Sequence, residues 1–360
     1  MQYMKLGNTG LIVSRVCLGT GNFSEHGWNM EVPGVEAEGA GGDAASAKAS
    51  MASMPTVDPE LGRRLIDRSL EAGINFFDSA SNYGDSEVLL GRLLGTRRRD
   101  VVITTKVGNR TGDPITHAGL SRVNILRTCE VSLERLRTDY IDLYMAHTED
   151  PHTPLEETLE ALNDLVRSGQ VRYLGFSNWS AWKAATALEI QRANGWAQFT
   201  AGQMYYSLLG RDVEHDIVPF MRHAGVGMTV WSPLAGGFLS GKYSRDNLGD
   251  KNYRYASLDV IPFDKEVGFK VVDSIRPIAA KHNVSVSQVA LAWLLSKPVV
   301  TSIIVGASKF MHLEDNLGVV ALRLSPQELA LMDSLTVPST MYPYWFHALM
   351  KDPQRADVPV

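Results

Sequence analysis

Residues 140–175 read YIDLYMAHTEDPHTPLEETLEALNDLVRSGQVRYLG, and this stretch decides the fold class. It opens with the apolar run 140–146 and closes with a second apolar run, 171–175. The apolar residues between the two runs recur at helical spacing and share one face: Leu155, Leu159, Leu162 and Val166. A strand, a helix and a strand in this order predict a βαβ unit, whose two strands lie parallel in one sheet.

The ends of this helix also carry sequence signals. Thr153 and Glu156 have the spacing of a capping box, and Pro154 suits the first helical position. Gly169 predicts the end of the helix, because glycine readily adopts the left-handed conformation that follows a last helical turn. A second helix, after Ser121, is predicted from an apolar stripe of Ile125, Cys129, Leu133 and Leu136.

The same alternation continues through most of the chain. Eight short apolar runs are predicted strands: 16–18, 74–77, 101–105, 140–146, 171–175, 199–203, 226–231 and 301–305. Eight strands that alternate with helices fit a doubly wound sheet or a (β/α)8 barrel. Eight units within about 300 residues favour the barrel, so we predict an α/β chain of the TIM barrel class. We take residues 1–360 as a single domain.

Three regions lie outside this alternation. Residues 1–13 predict an N-terminal β-hairpin with its turn at Asn8-Thr9-Gly10. Residues 29–57 are rich in glycine, alanine, serine and methionine and are expected to form an irregular insertion. The insertion falls in the first loop from a strand to a helix, over the C-terminal face of a barrel. The C-terminal tail, 337–360, carries several aromatic residues.

Composition and charge favour a globular enzyme of a reducing compartment. The chain has 360 residues, of which 44% are hydrophobic and 21% charged, and its net charge is −5. The one basic cluster, Arg97, Arg98 and Arg99, is expected to cap a helix end, so we predict no nucleic-acid partner. Cys17 and Cys129 are too far apart for a CxxC pair. Without a signal-peptide core or a run of about 18 apolar residues, we expect a cytoplasmic protein with no membrane partner.

Three motif-like patterns are set aside. Residues 39–44 match G-x-G-x-x-A, but no predicted strand precedes them. Residues 236–243 resemble a P-loop, but Tyr243 stands where a magnesium-binding serine or threonine is required. A glycine-rich loop after a strand can still hold phosphate groups. One group of metal-binding residue types matches no standard ligand spacing, so we predict no metal: His147, Glu149, Asp150 and His152.

Four polar residues follow the ends of the second, third and fourth predicted strands. Asp78 comes directly after the second strand, and Tyr83 follows five residues later. Lys106 ends the third strand and His147 the fourth. Active sites of β/α barrels lie at the C-terminal ends of the strands, so these four side chains predict a site there.

Several longer stretches together resemble one family. In chain order they are 72–78 (AGINFFD), 83–87 (YGDSE), 105–106 (TK), 138–144 (TDYIDLY) with His147, 175–178 (GFSN), 231–234 (WSPL) and 315–316 (DN). Their order and spacing resemble the aldo-keto reductases, and within them the branch of potassium-channel beta subunits and bacterial reductases. The resemblance implies a (β/α)8 barrel and an NAD(P)H-dependent oxidoreductase that reduces an aldehyde or ketone to an alcohol.

The resemblance implies a catalytic tetrad of Asp78, Tyr83, Lys106 and His147. Tyr83 would donate the proton to the carbonyl oxygen as general acid. A free tyrosine has a pKa near 10, and a neighbouring lysine cation is expected to lower the pKa of Tyr83. Asp78 would hold Lys106, and His147 would hydrogen-bond and orient the carbonyl oxygen.

The resemblance also implies a cofactor site, for NADPH with NADH as the alternative. The implied binding residues are Ser177, Asn178, Gln203, Trp231, Ser232, Leu234, Gly236, Lys242, Gly306, Ser308, His312, Asp315 and Asn316. His312 stands where many members carry Arg or Gln near the ribose 2′-phosphate, and Gly306 stands where some members have Lys, although Gly is usual in this branch. The resemblance therefore implies fewer fixed cations at this position, and Lys309 is a candidate to compensate.

Aromatic residues suggest where a small carbonyl substrate binds. The candidate pocket residues are Trp28, Trp179, Tyr342 and Trp345. Two other functions stay open: an NAD-dependent aldose or alcohol dehydrogenase working in the oxidative direction, and a cofactor-binding regulatory subunit. A barrel isomerase or metal-dependent enzyme is the fallback. The sequence leaves a homo-oligomer open.

Overall fold

The computed structural model describes residues 1–25, 56–248 and 261–352 and contains a closed barrel of eight parallel strands. Two antiparallel strands come first, β1 (Tyr3–Lys5) and β2 (Ile12–Ser14). The barrel strands are β3 (Val16–Gly19), β4 (Phe76–Asp78), β5 (Val102–Val107), β6 (Ile141–Ala146), β7 (Val171–Ser177), β8 (Phe199–Tyr205), β9 (Gly227–Trp231) and β10 (Val300–Gly306). They pair in chain order, and β10 closes the barrel against β3.

Helices follow the strands and cover the outside of the barrel. The α-helices are α1 (Pro59–Glu71), α2 (Ser86–Leu94), α3 (Arg122–Leu136), α4 (Leu155–Arg167), α5 (Ala181–Ala193), α6 (Ile217–Ala224), α7 (Lys265–His282), α8 (Val286–Leu295), α9 (Phe310–Leu317), α10 (Pro326–Leu335) and α11 (Tyr344–Leu349). Short 3₁₀ helices span Gly95–Asp100, Ile115–His117, Asp212–Glu214, Ala235–Ser240 and Gly318–Val320. The predicted barrel class and all eight predicted strands are therefore confirmed, with ends that differ by one or two residues.

The core has two layers that the barrel wall separates. The larger cluster packs the outward faces of the strands against the helices, and the smaller cluster fills the barrel interior. The interior cluster comprises Leu6, Val13, Cys17, Phe76, Val102, Leu143, Met145, Ala201 and Ile304. Cys17 and Cys129 are both buried and unpaired, one in each layer.

The N-terminal hairpin closes the N-terminal end of the barrel. Leu6 and Val13 are fully buried in the interior cluster. Gly7 has φ +57°, and a Cβ there would lie 2.4 Å from the carbonyl oxygen of Thr200, so the turn sits directly against the start of β8 and β9. The predicted hairpin is confirmed, and the open end of the barrel is the C-terminal face.

Two local expectations have different outcomes. The capping box at Thr153 is wrong: α4 has Pro154 as its N-cap, and the Thr153 hydroxyl donates to Asp150 Oδ2 at 2.7 Å. A hydrogen bond to the charged Asp150 carboxylate is stronger than one to a neutral backbone group, so the Thr153 hydroxyl binds Asp150 and does not cap the helix. The expectation that the basic cluster caps a helix is confirmed, because Arg97 donates to the carbonyls of Leu93 and Leu94 at the end of α2.

Parts of the expected irregular regions lie outside the described residues. Of the predicted insertion at 29–57, only 56 and 57 are described, and Val57 is buried in a bridge with Phe23. The tail contains α11, and 353–360 are not described. Among the described residues, no helix is long and apolar enough to cross a membrane. The single-domain assignment stays a prediction.

Glu328 at the start of α10 is a carboxylate outside the barrel that several hydrogen bonds hold. It forms a capping box with Ser325 and accepts hydrogen bonds from Lys281 at 2.8 Å and His282 at 2.9 Å. Its side chain is 8% exposed. The hydrogen bonds from Lys281 and the Ser325 backbone lower the pKa of Glu328 to about 2.

We predict that Glu328→Gln lowers the free energy of unfolding at pH 7 by about 1–2 kcal/mol. A lowered pKa stabilises the fold above the unfolded-state pKa near 4.5, and this contribution disappears as the pH falls towards 2. Urea unfolding from pH 7 to pH 2.5 should show the wild type and variant converging. Glu266→Gln, which removes an exposed pair with Arg245, is the control. A constant difference at all pH values would contradict this assignment.

Candidate active site

Side-chain alternation along the strands directs the predicted site residues into the barrel. On β4, Phe76 belongs to the interior cluster and Phe77 to the outer layer, so Asp78 faces inward. The same alternation turns Lys106 inward on β5 and His147 inward just past β6. The three residues therefore meet at the C-terminal opening because of strand phase and register.

Lys106 is the buried cation of this cluster. Its side chain is 0% exposed, and Nζ donates to Asp78 Oδ1 and to the Ser79 carbonyl, each at 2.7 Å. Nζ also lies 5.1 Å from the centre of the Tyr83 ring. Burial lowers the pKa of Lys106, but Asp78, Tyr83 and the hydrogen bond to Asp78 outweigh burial and raise it overall. Lys106 is therefore an ammonium at neutral pH.

Tyr83 lies on the loop between β4 and α2. Hydroxyl groups hold both ends of this loop: Ser86 Oγ lies 2.7 Å from Thr20 Oγ1 and 2.8 Å from Ser79 Oγ. A Cβ at Gly21 would lie 3.3 Å from the Tyr83 ring, so glycine lets the loop after β3 pack against it. The phenol is thereby held beside Lys106.

The electrostatics of Tyr83 differ in sign from the sequence expectation. Burial raises the pKa of Tyr83, and Lys106 lowers it through its charge and a hydrogen bond. Lys106 acts in the expected direction, but burial outweighs it, and the pKa lies above the ordinary value of 10. Tyr83 is therefore a protonated phenol at neutral pH, next to a cation that favours its anion.

His147 packs edge-on against Tyr83, with ring centres 5.7 Å apart and an interplanar angle of 74°. Its backbone is held by the Val107 carbonyl, at 2.8 Å, and by Asn178 Nδ2, at 3.1 Å. Burial and the Lys106 cation lower the pKa of His147 well below 6.5. His147 is thus a neutral imidazole at physiological pH. Asn109 contacts its ring, and the sequence interpretation missed this residue because asparagine is ordinary in a loop.

Four of the expected cofactor residues adjoin this cluster. Gln203 Nε2 donates to Asp78 Oδ2 at 2.7 Å, on the oxygen that Lys106 leaves free. Asn178 Nδ2 donates to Ser177 Oγ at 3.0 Å, and Trp231 Nε1 donates to Asn178 Oδ1 at 2.9 Å. Asn178 has φ +57°, a conformation that costs free energy in a non-glycine residue and is common at functional sites. These side chains form one hydrogen-bonded rim next to the buried Lys106–Asp78 pair.

The loop after β9 carries the next group of expected cofactor residues. Ser232 has φ +50°, and its Oγ accepts from the Gly236 backbone at 2.9 Å. Leu234 is half-buried, and Lys242 is exposed at the end of the turn. Tyr243 is buried and stacks on Phe238 with ring centres 5.8 Å apart.

The remaining cofactor candidates follow β10 or lie on α9. Gly306 ends β10, and Ser308 lies in the turn before α9. Burial first, then Lys242 and Lys309, lower the pKa of His312, so these three side chains lie within electrostatic range. Asp315 points to α8, where it accepts from Ser285 and Gln288, and Asn316 is buried.

The structure describes three of the four expected pocket aromatics, and none of these three has a ring contact with the tetrad. Trp28 lies outside the described residues. Trp179 is buried in the outer layer against Phe176 and Phe199, at 5.9 and 5.5 Å between ring centres. Tyr342 and Trp345 are 72% and 50% exposed. Next to them, the Tyr344 hydroxyl bonds to Asp216 before α6.

The acidic residues after β6 serve the backbone. Glu149 accepts from the Ser180 amide and Asp150 from the Leu120 amide, both at 2.6 Å. Within the described part of the chain, no group of three or more histidine, cysteine or acidic side chains is arranged to hold a metal ion.

The barrel with this polar cluster at its C-terminal face is the architecture of a known class of oxidoreductases. A family model described as the aldo/keto reductase family matches residues 48–337, and this chain belongs to that family. The family resemblance drawn from the sequence is confirmed.

Curated relatives cover nearly the whole chain. An uncharacterized oxidoreductase, YrpG, of Bacillus subtilis is 35% identical over 93% of this chain and 96% of its own. A versiconal hemiacetal acetate reductase of Aspergillus parasiticus is 33% identical over 95% and 99%. A probable voltage-gated potassium channel subunit beta of Oryza sativa is 34% identical over 88% and 90%. The chain is thus similar both to named reductases and to a named channel subunit.

The charge of Lys106 generates a prediction for His147. Lys106→Met should raise the pKa of His147, because one of the two causes that lower it is removed. The pKa should stay below 6.5, since burial is the larger cause and remains. An NMR titration of the histidine ring signals, assigned with a His147→Gln variant, measures the change. Lys270→Met on α7 is the control, and an unchanged pKa of His147 in Lys106→Met would contradict the electrostatic effect of Lys106 on that ring.

Proposed function

We propose that this protein is an NAD(P)H-dependent oxidoreductase that reduces an aldehyde or ketone to an alcohol, with Tyr83 as general acid. The observation that carries the proposal is the buried Lys106–Asp78 pair beside the Tyr83 phenol and the neutral His147 ring. A protonated phenol, a permanent cation and a neutral imidazole are the groups that carbonyl reduction needs at the oxygen atom.

Each side chain has a distinct part in this chemistry. A bound nicotinamide cofactor supplies the hydride to the carbonyl carbon. Tyr83 gives its proton to the carbonyl oxygen, and the Lys106 ammonium stabilises the phenolate that remains. Asp78 holds Lys106, and His147 donates a hydrogen bond that orients the carbonyl. Solvent returns the proton to Tyr83 after the alcohol leaves.

The polar rim suits a nicotinamide carboxamide. Ser177, Asn178 and Gln203 present hydroxyl and amide groups next to the Lys106–Asp78 pair, and amides satisfy the donors and acceptors of a carboxamide. Trp231 provides a flat apolar surface whose orientation its bond to Asn178 fixes. In our proposal, the loop from Ser232 to Lys242 holds the pyrophosphate through backbone amides, as turns with left-handed residues commonly do.

The adenosine end favours NADPH, with NADH as the alternative. Besides burial, which is the largest cause, the charges of Lys242 and Lys309 lower the pKa of His312, and in our proposal these two cations bind the 2′-phosphate. Gly306 and Ser308 offer backbone and hydroxyl groups before α9, and Asn316, which is buried on α9, completes the proposed set. The Asp315 carboxylate accepts hydrogen bonds from Ser285 and Gln288 of the neighbouring helix, so in our proposal Asp315 positions α9 and does not bind the cofactor directly. In this proposal, two lysine ammonium groups bind the 2′-phosphate as separate point charges, in place of the bidentate guanidinium of an arginine.

The relatives bear on direction and on the second candidate function. Several relatives are named as reductases, which favours reduction over the NAD-dependent oxidation of an alcohol. Others are named as potassium channel beta subunits, which keeps a cofactor-binding regulatory role as the second candidate. Initial rates in both directions, with both cofactors and a panel of aldehydes and ketones, separate these functions. Cytoplasmic location stays a prediction.

Tyr83→Phe tests the proposed acid. We expect kcat for carbonyl reduction to fall by at least about 10²-fold, because the ring remains and its proton is lost. The Kd for NADPH, measured by quenching of tryptophan fluorescence, should stay close to that of the wild type. Tyr3→Phe, in the hairpin at the closed end, is the matched control. Near-normal turnover of Tyr83→Phe would contradict the role of Tyr83.

His312→Arg and Lys309→Ala test cofactor choice. His312→Arg should lower the Kd for NADPH by about 3- to 10-fold and leave NADH unchanged, because arginine binds phosphate through a bidentate charged fork. Lys309→Ala should raise the Kd for NADPH by a similar factor. Because the pKa of His312 is already lowered, the wild-type preference should be constant between pH 7 and 8. Unchanged NADPH affinity in both variants would place the 2′-phosphate elsewhere.

A further inference from the structure

Asn109 is a polar residue of the site to which no role has been given. It lies two residues past the end of β5 and three residues after Lys106. Its side-chain nitrogen Nδ2 is 3.1 Å from Nδ1 of His147. Within the described chain this is the one hydrogen bond of its side chain, so the amide is not needed to hold its own loop.

The chemistry of this contact determines where His147 carries its proton. An amide NH2 group donates and cannot accept, so Nδ1 must present its lone pair. A neutral imidazole has a single ring proton, which then resides on Nε2. His147 is neutral because burial and the Lys106 cation disfavour its charged form. The contact with Asn109 therefore selects between two neutral tautomers.

We propose that Asn109 is a positioning residue that fixes His147 as the Nε2–H tautomer, so that His147 offers a donor to the carbonyl oxygen of the substrate. The proposal rests on the proposed carbonyl reduction. In the other tautomer, Nε2 would turn a lone pair towards the oxygen, and the two acceptors would repel each other. Fixing the tautomer thus decides whether His147 assists or opposes the polarisation of the carbonyl.

The other contacts of His147 do not make this choice. Val107 and Asn178 bind its backbone, and Tyr83 packs against its ring by the edge. None of these contacts distinguishes Nδ1 from Nε2. Nε2 has no hydrogen-bond partner among the described residues, so it is the nitrogen left for a substrate. Among these contacts, only the hydrogen bond from Asn109 to Nδ1 favours one tautomer of His147 over the other.

The first test reads the tautomer directly by ¹⁵N NMR of the imidazole, in which protonated and unprotonated ring nitrogens have well separated signals. The wild type should show a protonated Nε2 and an unprotonated Nδ1 for His147, assigned with His147→Gln. Asn109→Leu, similar in shape without a donor, should show a mixture of both tautomers. Asn109→Asp, which only accepts, should place a proton on Nδ1. Asn194→Leu, at the far end of α5, should match the wild type.

The second test is a double-mutant cycle in carbonyl reduction. Asn109→Leu should lower kcat/KM for an aldehyde by about 10-fold, the scale of one hydrogen bond, and leave the Kd for NADPH unchanged. In a His147→Gln background the same substitution should have almost no effect, because a glutamine amide donates without any tautomer to select. If Asn109 had only a structural role, Asn109→Leu would lower kcat/KM in the His147→Gln background as well.

Clear results overturn the proposal. A protonated Nδ1 in the wild type, or unchanged His147 signals in Asn109→Leu, would show that Asn109 does not select the tautomer. An equal loss in the His147→Gln background would show that Asn109 acts through packing. If the wild type reduces no carbonyl compound with either cofactor, the proposed function fails, and the spectra still decide the tautomer.

Discussion

One buried ion pair, between Lys106 and Asp78, sets the geometry of the candidate site. An ammonium without exposed surface costs several kcal/mol in lost hydration, and only well-placed acceptors offset that cost. Asp78 and the Ser79 carbonyl supply these acceptors at 2.7 Å. Their positions follow from the parallel register of β4 and β5 and from the loop that carries Tyr83. The barrel therefore holds Asp78 and the Ser79 carbonyl in the positions where they replace the water that an exposed Lys106 ammonium would bind.

This pair also organises the groups around it. Gln203 binds the second oxygen of Asp78, and the Lys106 cation adds to the effect of burial in lowering the pKa of His147. Any group that binds the Gln203 amide is consequently three hydrogen bonds away from Lys106. The cofactor rim and the acid–base cluster are thus joined through the hydrogen bond between Gln203 and Asp78.

The sequence predicted the barrel and its polar opening, because strand periodicity and register are local and repetitive. Eight apolar runs were enough to locate the strands, and strand phase then determined which side chains face inward. Burial is a property of the assembled molecule, so the raised pKa of Tyr83 and the outward packing of Trp179 could not be read from the chain. Asn109 was not predicted for the same reason: its contact with the His147 ring depends on the folded structure and leaves no signal in the sequence. Thr153 does not cap the helix because its hydroxyl donates to the Asp150 carboxylate instead.

The hairpin at the N-terminal end has a consequence for the direction from which the site can be reached. Leu6 and Val13 are buried in the interior cluster and fill the barrel at that end. Among the described residues, the tetrad and the rim of Gln203 and Trp231 lie at the opposite ends of the strands. A ligand of this site therefore approaches from the C-terminal face, and a substitution in the hairpin acts on the stability of the barrel and not on a ligand contact.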